Sequence, residues 1–261
     1  MSAARACGAA LVALAGCALD APVATTGPQF QTLGAGATLP DDATCAALVR
    51  STPEVRAGNV GPNHVVPTPT ELAGLSPWNS ENAYDDRALA LERRISGAFT
   101  GTTDEILQWV ACKWGFDEDH IRAEAVQSSV WTQTLASDWT TMPSLCPPDA
   151  DTRATDGGVE CAETYGMFQI VWQFHKSAWP MFRDSTPFHL DYIFGLRRVC
   201  FEGWDTSQAA RATAAMPYTA NDEWGCIGAH FSGGWYDAGA NSYIKAVRGQ
   251  LAGRAWTHPD F

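Results

Sequence analysis

The stretch Ala125-Val126-Gln127-Ser128-Ser129-Val130-Trp131, with Tyr165-Gly166-Met167-Phe168-Gln169-Ile170 further along, decides the fold of this chain. The first stretch closes a helix that Asp117 can cap and whose first turn carries Glu118 and Asp119, where the helix dipole favours negative charge. Ile121, Glu124, Ala125 and Ser128 share one face at helical spacing, while Ala123, Val126 and Val130 make the other side apolar too. A helix apolar nearly all round belongs in the middle of a domain. Before it, Thr103 reads as the N-cap of a helix with Asp104, Glu105, Ile106, Trp109 and Val110, and Gly115 ends that helix. Beyond it, Thr186-Pro187 opens a helix with Phe188, Tyr192, Leu196 and Val199 on its buried stripe, and a last helix with Ile244, Val247 and Leu251 follows Asn241. Long alternating strand patterns are absent, so the chain is predicted to be mainly α, with a small β-hairpin between Trp139 and Gln169.

These motifs, together with Gly228-Ala229-His230-Phe231-Ser232-Gly233-Gly234-Trp235, resemble the lytic transglycosylase branch of the lysozyme superfamily. In that branch a helix ends in a Glu-Ser-x-Trp-like sequence, followed by Tyr-Gly-x-Met-Gln-Ile-like and Ala-Tyr-Asn-x-Gly elements. Here Ser129 and Trp131 fit the first element, and Ser128 stands where Glu is expected; Phe231 replaces Tyr and Ser232 replaces Asn in the third. The resemblance covers roughly residues 95 to 256. It implies a lysozyme-like, two-lobed α+β domain that binds peptidoglycan glycan strands in a cleft. Tyr165, Gly166 and Gln169 would be glycan contacts, Gly166 by letting the backbone approach the sugar and Gln169 by hydrogen bonding. Phe231 would stand where the family's Tyr sits, and Trp235 would line a sugar subsite or fill core.

In this family a single Glu protonates the leaving oxygen and then helps the sugar's own 6-hydroxyl attack, giving a 1,6-anhydro product. Serine is far too weak an acid for that task, which needs a carboxyl whose pKa a partly apolar setting has raised. The expectation is therefore glycan binding with cleavage lost or reduced. One alternative is an active enzyme with a displaced acid such as Glu124, which lies on the Ser128 face about 6 Å along the axis. An acid on so buried a face is either hydrogen-bonded core or functional. Glu163, Asp138 and Asp156 are weaker candidates. Another alternative is a structural or interaction lipoprotein that meets a protein partner with its surface. No G-x-S-x-G elbow is present, and His175, His189 and His230 with Asp184 and Asp191 match no metal-ligand spacing, so neither a metal nor a cofactor is predicted.

The ends of the chain point to export. Arg5 precedes the apolar run Ala9 to Leu14, too short to span a bilayer. Leu14-Ala15-Gly16-Cys17 matches a bacterial lipobox, so residues 1–16 read as a lipoprotein signal and Cys17 as the lipid attachment site, holding the protein at a membrane of the cell envelope. An ordinary signal cut after Ala18 is the competing reading. Either leaves Cys45, Cys112, Cys146, Cys161, Cys200 and Cys226, which in an exported protein predict three disulfides; Cys146 with Cys161 would close the polar loop 147–160. Residues 17–41, rich in Ala, Thr, Gly and Pro, are predicted to be a flexible tether, and 42–94 a loop-rich wrap around the domain formed by 95–261. A net charge of -12 without a basic patch excludes nucleic acid and anionic lipid surfaces as partners, and leaves a neutral or modestly charged glycan acceptable. The 11 tryptophans supply flat apolar faces for core or for sugar rings.

Overall fold

The computed structural model describes residues 29–78 and 84–261. The signal segment, Cys17 and residues 17–28 of the predicted tether lie outside them. Ten α-helices and a four-stranded antiparallel sheet make up the described residues. Short helices α1 (Asp42–Leu48), α2 (Pro69–Ala73) and α3 (Ala88–Glu92) wrap the exterior. The centre is formed by α4 (Thr103–Trp114), α5 (Glu118–Ser129) and α7 (Thr186–Phe201), with α6 (Met181–Asp184) leading into α7. After the short α8 (Thr206–Arg211), helix α9 (Glu223–Ser232) packs on α7 and α10 (Ala238–Gly253) packs on α9 and α5, closing the fold. No helix of the described residues is long and apolar enough to cross a membrane.

Capping chemistry sets the helix starts, and three differ from the predicted ones. Helix α4 is capped by Thr102 and not Thr103: the Thr102 hydroxyl accepts from the Glu105 backbone N–H while the Glu105 carboxylate accepts from the Thr102 N–H, a reciprocal box that the spacing of three residues requires. Helix α7 is capped by Ser185, whose hydroxyl accepts from Phe188 N–H, which moves Thr186 and Pro187 one position inside. Helix α10 starts at Ala238 because Asp237 accepts from Ala240 N–H at 2.7 Å; Asn241 lies within the helix and donates back to the Tyr236 and Asp237 carbonyls. Asp117 caps α5 through Asp119 and His120, and Gly115 ends α4 at φ 64°, as the sequence indicates.

The predicted hairpin is a larger sheet. Strands β1 (Ala136–Thr140), β2 (Thr152–Thr155), β3 (Gly158–Tyr165) and β4 (Ile170–Val171) pair around β3 in the order β1-β3-β2, with β4 on β3 as well. Strand β2 is exposed along its whole length, so it carries no hydrophobic alternation by which a sequence could reveal it. The three disulfides are Cys45–Cys112, tying α1 to α4, Cys146–Cys161, closing the loop before β3, and Cys200–Cys226, tying α7 to α9.

Residues 29–41 are not a free tether. Leu33 N–H donates to the Gly115 carbonyl, Thr32 to Glu223, and Gly36 N–H to Glu202, while Arg198 donates to the carbonyls of Leu33 and Gly34. The segment has no periodic apolar face of its own; its backbone polar groups are satisfied by side chains far away in sequence, and composition does not carry that information.

Candidate functional site

Helix α5 ends at Ser128 and Ser129, the first of which the resemblance sets against an expected Glu. Ser128 faces a cavity of about 290 Å³, and its hydroxyl lies 2.6 Å from the Tyr243 hydroxyl of α10. Phe231 of α9 stacks on the Tyr243 ring, centroids 4.4 Å apart and 2° from parallel, and is 59 % exposed. The opposite wall comes from the sheet. Asp138, at φ 52°, interrupts the β1–β3 ladder between the pairs Ser137↔Thr164 and Trp139↔Ala162, a conformation that Asp tolerates better than most residues. Its exposed carboxylate accepts from the Thr164 hydroxyl at 2.8 Å and lines the same cavity as Ser128. After Ser129 the chain turns sharply, with Val130 and Trp131 both left-handed at φ 52° and 61°. Trp131 is held there by its indole N–H on the Arg122 carbonyl and by Asn59 donating to its own carbonyl.

Glu124 does not reach this cavity as a free acid. It is fully buried, and both its oxygens accept from the Arg197 guanidinium of α7. Burial pushes its carboxyl up, and the charge and hydrogen bonds of Arg197 oppose that rise. The same buried pair stands behind Tyr243, whose phenol burial and the Glu124 charge drive far above its ordinary value. Tyr243 and Ser128 both line the cavity, with Glu124 and its partner Arg197 behind Tyr243. None of Glu124, Tyr243 and Ser128 offers an accessible acidic proton: Glu124 is buried on Arg197, the Tyr243 phenol is raised, and a serine hydroxyl is too weak an acid. Asp156 is exposed at the β2–β3 turn and Glu163 is half-buried on β3; neither lines the cavity.

The Tyr165 to Gln169 segment builds the wall and does not present its polar groups to it. Tyr165 is buried, donates to the Ala162 carbonyl, accepts from Asp151 N–H, and packs edge-on against Trp179. Gly166 is buried at φ 80°, and a Cβ there would fall 2.4 Å from the His189 ring, so glycine serves the turn and its packing on His189, in place of the predicted approach to a sugar. His189 is fully buried with a fixed tautomer: its Nε2 accepts from Phe168 N–H, so Nδ1 carries the proton and donates to the Phe182 carbonyl. Gln169 borders the cavity, but its amide is engaged internally, accepting from Ser137 and Thr164 and donating to the Gly166 carbonyl. Trp235 is buried against Tyr218 and Tyr236, and Gly225 leaves room for it, so it is largely core.

The cavity continues as a groove. A neighbouring space of about 580 Å³ shares Gln169, Val171, His230 and Phe231 with it, and a further one of about 390 Å³ shares Phe174, His175, Arg211, His230 and Gly233 with the second. Trp235 alone of the tryptophans borders any of the three; the exposed rings along the groove are Phe231 and Phe174, the latter 63 % exposed. Burial holds His175 down at about 4 and His230 at about 3, so both are neutral near pH 7. Among the described residues no group of His, Cys, Asp or Glu could hold a metal ion.

Sequence reasoning brings Ser128 and Phe231 to one place and leaves Tyr243, Thr164 and Phe174 unnoticed. Tyr243 stands one position before the first residue assigned to the last helix's apolar stripe, and so reads as ordinary helix surface. No family model, curated protein or solved structure matches the chain.

Proposed function

We propose that this protein is an exported, lipid-anchored protein of the cell envelope, with a lysozyme-like domain whose groove binds the glycan strands of peptidoglycan without efficient cleavage. The observation that carries the reading is the exchange at the end of α5. The expected acid is a serine hydrogen-bonded to Tyr243, and the nearest buried carboxylate, Glu124, is locked by Arg197. Glycosidic cleavage needs a proton donor within reach of the leaving oxygen, and a Ser–Tyr pair with a strongly raised phenol does not supply one. Binding needs only shape, stacking faces and hydroxyl partners. Phe231 on its Tyr243 support offers an apolar face, and Ser128 and the exposed Asp138 carboxylate border the same cavity as hydrogen-bonding groups.

The test is incubation of the mature protein with purified peptidoglycan, with sedimentation of bound protein and mass spectrometry of soluble products. Binding without anhydro-sugar release is expected, weakened on the order of tenfold by Phe231→Ala through loss of a stacking face. Ser128→Glu in parallel is expected to release products if the groove lacks only its acid. A second reading, residual cleavage, is favoured by the exposed Asp138 carboxylate across the cavity: products from the unmodified chain that vanish in Asp138→Asn would establish it. Absence of binding would leave the structural or protein-interaction role.

A further inference from the structure

We propose that the end of the groove at Arg211 receives a carboxylate carried by the bound ligand, an inference that rests on the glycan reading and names the class of glycan: an acidic one. Arg211 closes α8 and is exposed, and it borders both the second and third spaces of the groove. It makes no hydrogen bond or ion pair among the described residues, and acts at a distance on Asp205. The other guanidinium at this end, Arg197, is occupied by Glu124. His175 and His230, which border the same spaces, are held neutral by burial.

The two carboxylates facing this end do not call for Arg211 as a partner. Asp205 caps α8, its Oδ1 accepting from the Ser207 and Gln208 N–H groups and the Ser207 hydroxyl. Asp237 caps α10. Arg211 thus stands beside two carboxylates that are committed to helix caps, and in a chain of net charge -12 it is the group at this place to which an anion can bind. Its planar fork matches a carboxylate in a bidentate manner. The exposed Phe174 ring borders the same two spaces as Arg211, and the exposed Phe231 ring borders both the second space and the Ser128–Asp138 cavity. Arg211 stands at the junction of the second and third spaces and Asp138 in the first, so that a saccharide with one acidic substituent, held by Arg211 and kept from Asp138, has a preferred direction.

The carboxylate could be borne by the sugar itself, as a lactyl ether, or by a peptide joined to it. Titration calorimetry of the mature protein at low salt separates these with three tetrasaccharides: neutral poly-N-acetylglucosamine, alternating N-acetylglucosamine and N-acetylmuramic acid without peptides, and the latter with stem peptides, in which the lactyl carboxyl is consumed as an amide. At least one acidic probe is expected to bind about tenfold more tightly than the neutral one, the range of a charge-assisted hydrogen bond. Which of them does so identifies the source of the carboxylate. Arg211→Ala should abolish that advantage while leaving the neutral probe within about twofold, and Arg211→Lys should keep part of it. Equal binding of all three probes, or an Arg211→Ala loss shared by the neutral probe, overturns the inference while the glycan reading stands. No binding of any probe overturns both.

Discussion

Two buried carboxylates, Asp191 in the centre and Glu124 behind the groove, are held in opposite ways. Asp191 is saturated: Oδ2 accepts from the Ser96 and Gly97 N–H groups and the Lys113 ammonium, and Oδ1 accepts from the Trp114 indole, so one side chain fastens α7 to α4 and to the chain entering it. Glu124 has one principal partner, Arg197, whose own Nε is buried without an acceptor. Around the first, every carboxylate oxygen has its partners, although the Nε of neighbouring Arg94 is also buried without an acceptor. Around the second, the β-branched Val130 stands in left-handed backbone and a serine hydroxyl rests on a buried phenol, and backbone strain of this kind collects at functional sites.

The comparison predicts unequal responses to the same surgery. Asp191→Ala removes the acceptor for two backbone N–H groups, an indole and a fully buried ammonium, and should cost about 3–5 kcal/mol or more, measured by urea denaturation. Replacing the pair together, Lys113→Met with Asp191→Leu, should still leave a deficit of about 2–3 kcal/mol, because Ser96, Gly97 and Trp114 remain unpaired. At the groove, Glu124→Gln should cost about 3 kcal/mol by stranding the Arg197 charge, yet Glu124→Leu with Arg197→Met should return to within about 1 kcal/mol of the parent. Failure of that rescue would mean that Glu124 is tied in as firmly as Asp191, and would end the contrast.

The sequence made one half of each arrangement legible. Spacing of four residues placed Glu124 on the Ser128 face, and α5 is interior even though it carries Glu118, Asp119, Arg122 and Glu124, because these charges are paired. Arg197 is 73 positions away, and nothing in the local pattern points to it. Asp191 matches no metal-ligand spacing with the histidines, and the cation beside it, Lys113, lies 78 positions away, where no local pattern points. The docking of residues 29–41 was hidden for the same reason, since that segment is held by the body's side chains. Helix existence survived because periodicity is local; helix starts slipped by one to four positions where two capping residues competed nearby, as with Thr102 and Thr103.

The pH response sharpens the picture of the wall behind the groove. His189, in the neutral tautomer, accepts from Phe168 N–H, so a second proton would face that donor, and burial holds its pKa down at about 4. The folded value lies below the unfolded one, so the unfolded state binds more protons between them. Stability therefore falls as pH drops from about 6.5 to about 4, on the order of 3 kcal/mol from this residue. His230 and His175 act in the same sense. His120 acts oppositely: burial lowers it, but the hydrogen bond and charge of Glu223 outweigh burial and raise it, so its stabilisation is complete below about pH 6.5 and is lost as pH rises through the folded value. A stability profile that is flat from pH 7 to 4.5 would contradict the neutral, wall-building role of His189.

The smallest effect has the opposite sign. Val130 is half-exposed and left-handed at φ 52°, where a β-branched side chain crowds its own backbone. Its backbone contacts do not depend on the side chain: its N–H closes on the Ala125 and Val126 carbonyls, and its carbonyl accepts from Arg56. Val130→Gly relieves strain of about 1–3 kcal/mol and adds about 0.5–1 kcal/mol of unfolded-chain entropy. The net expectation is a stabilisation of about 1 kcal/mol, read as a raised urea midpoint with unchanged slope. Such a gain would mean that the turn after Ser129 is kept strained at the expense of stability, which a region serving only to fold has no reason to do. A loss would mean that the turn is as relaxed as the centre around Asp191, and that strain does not distinguish the groove.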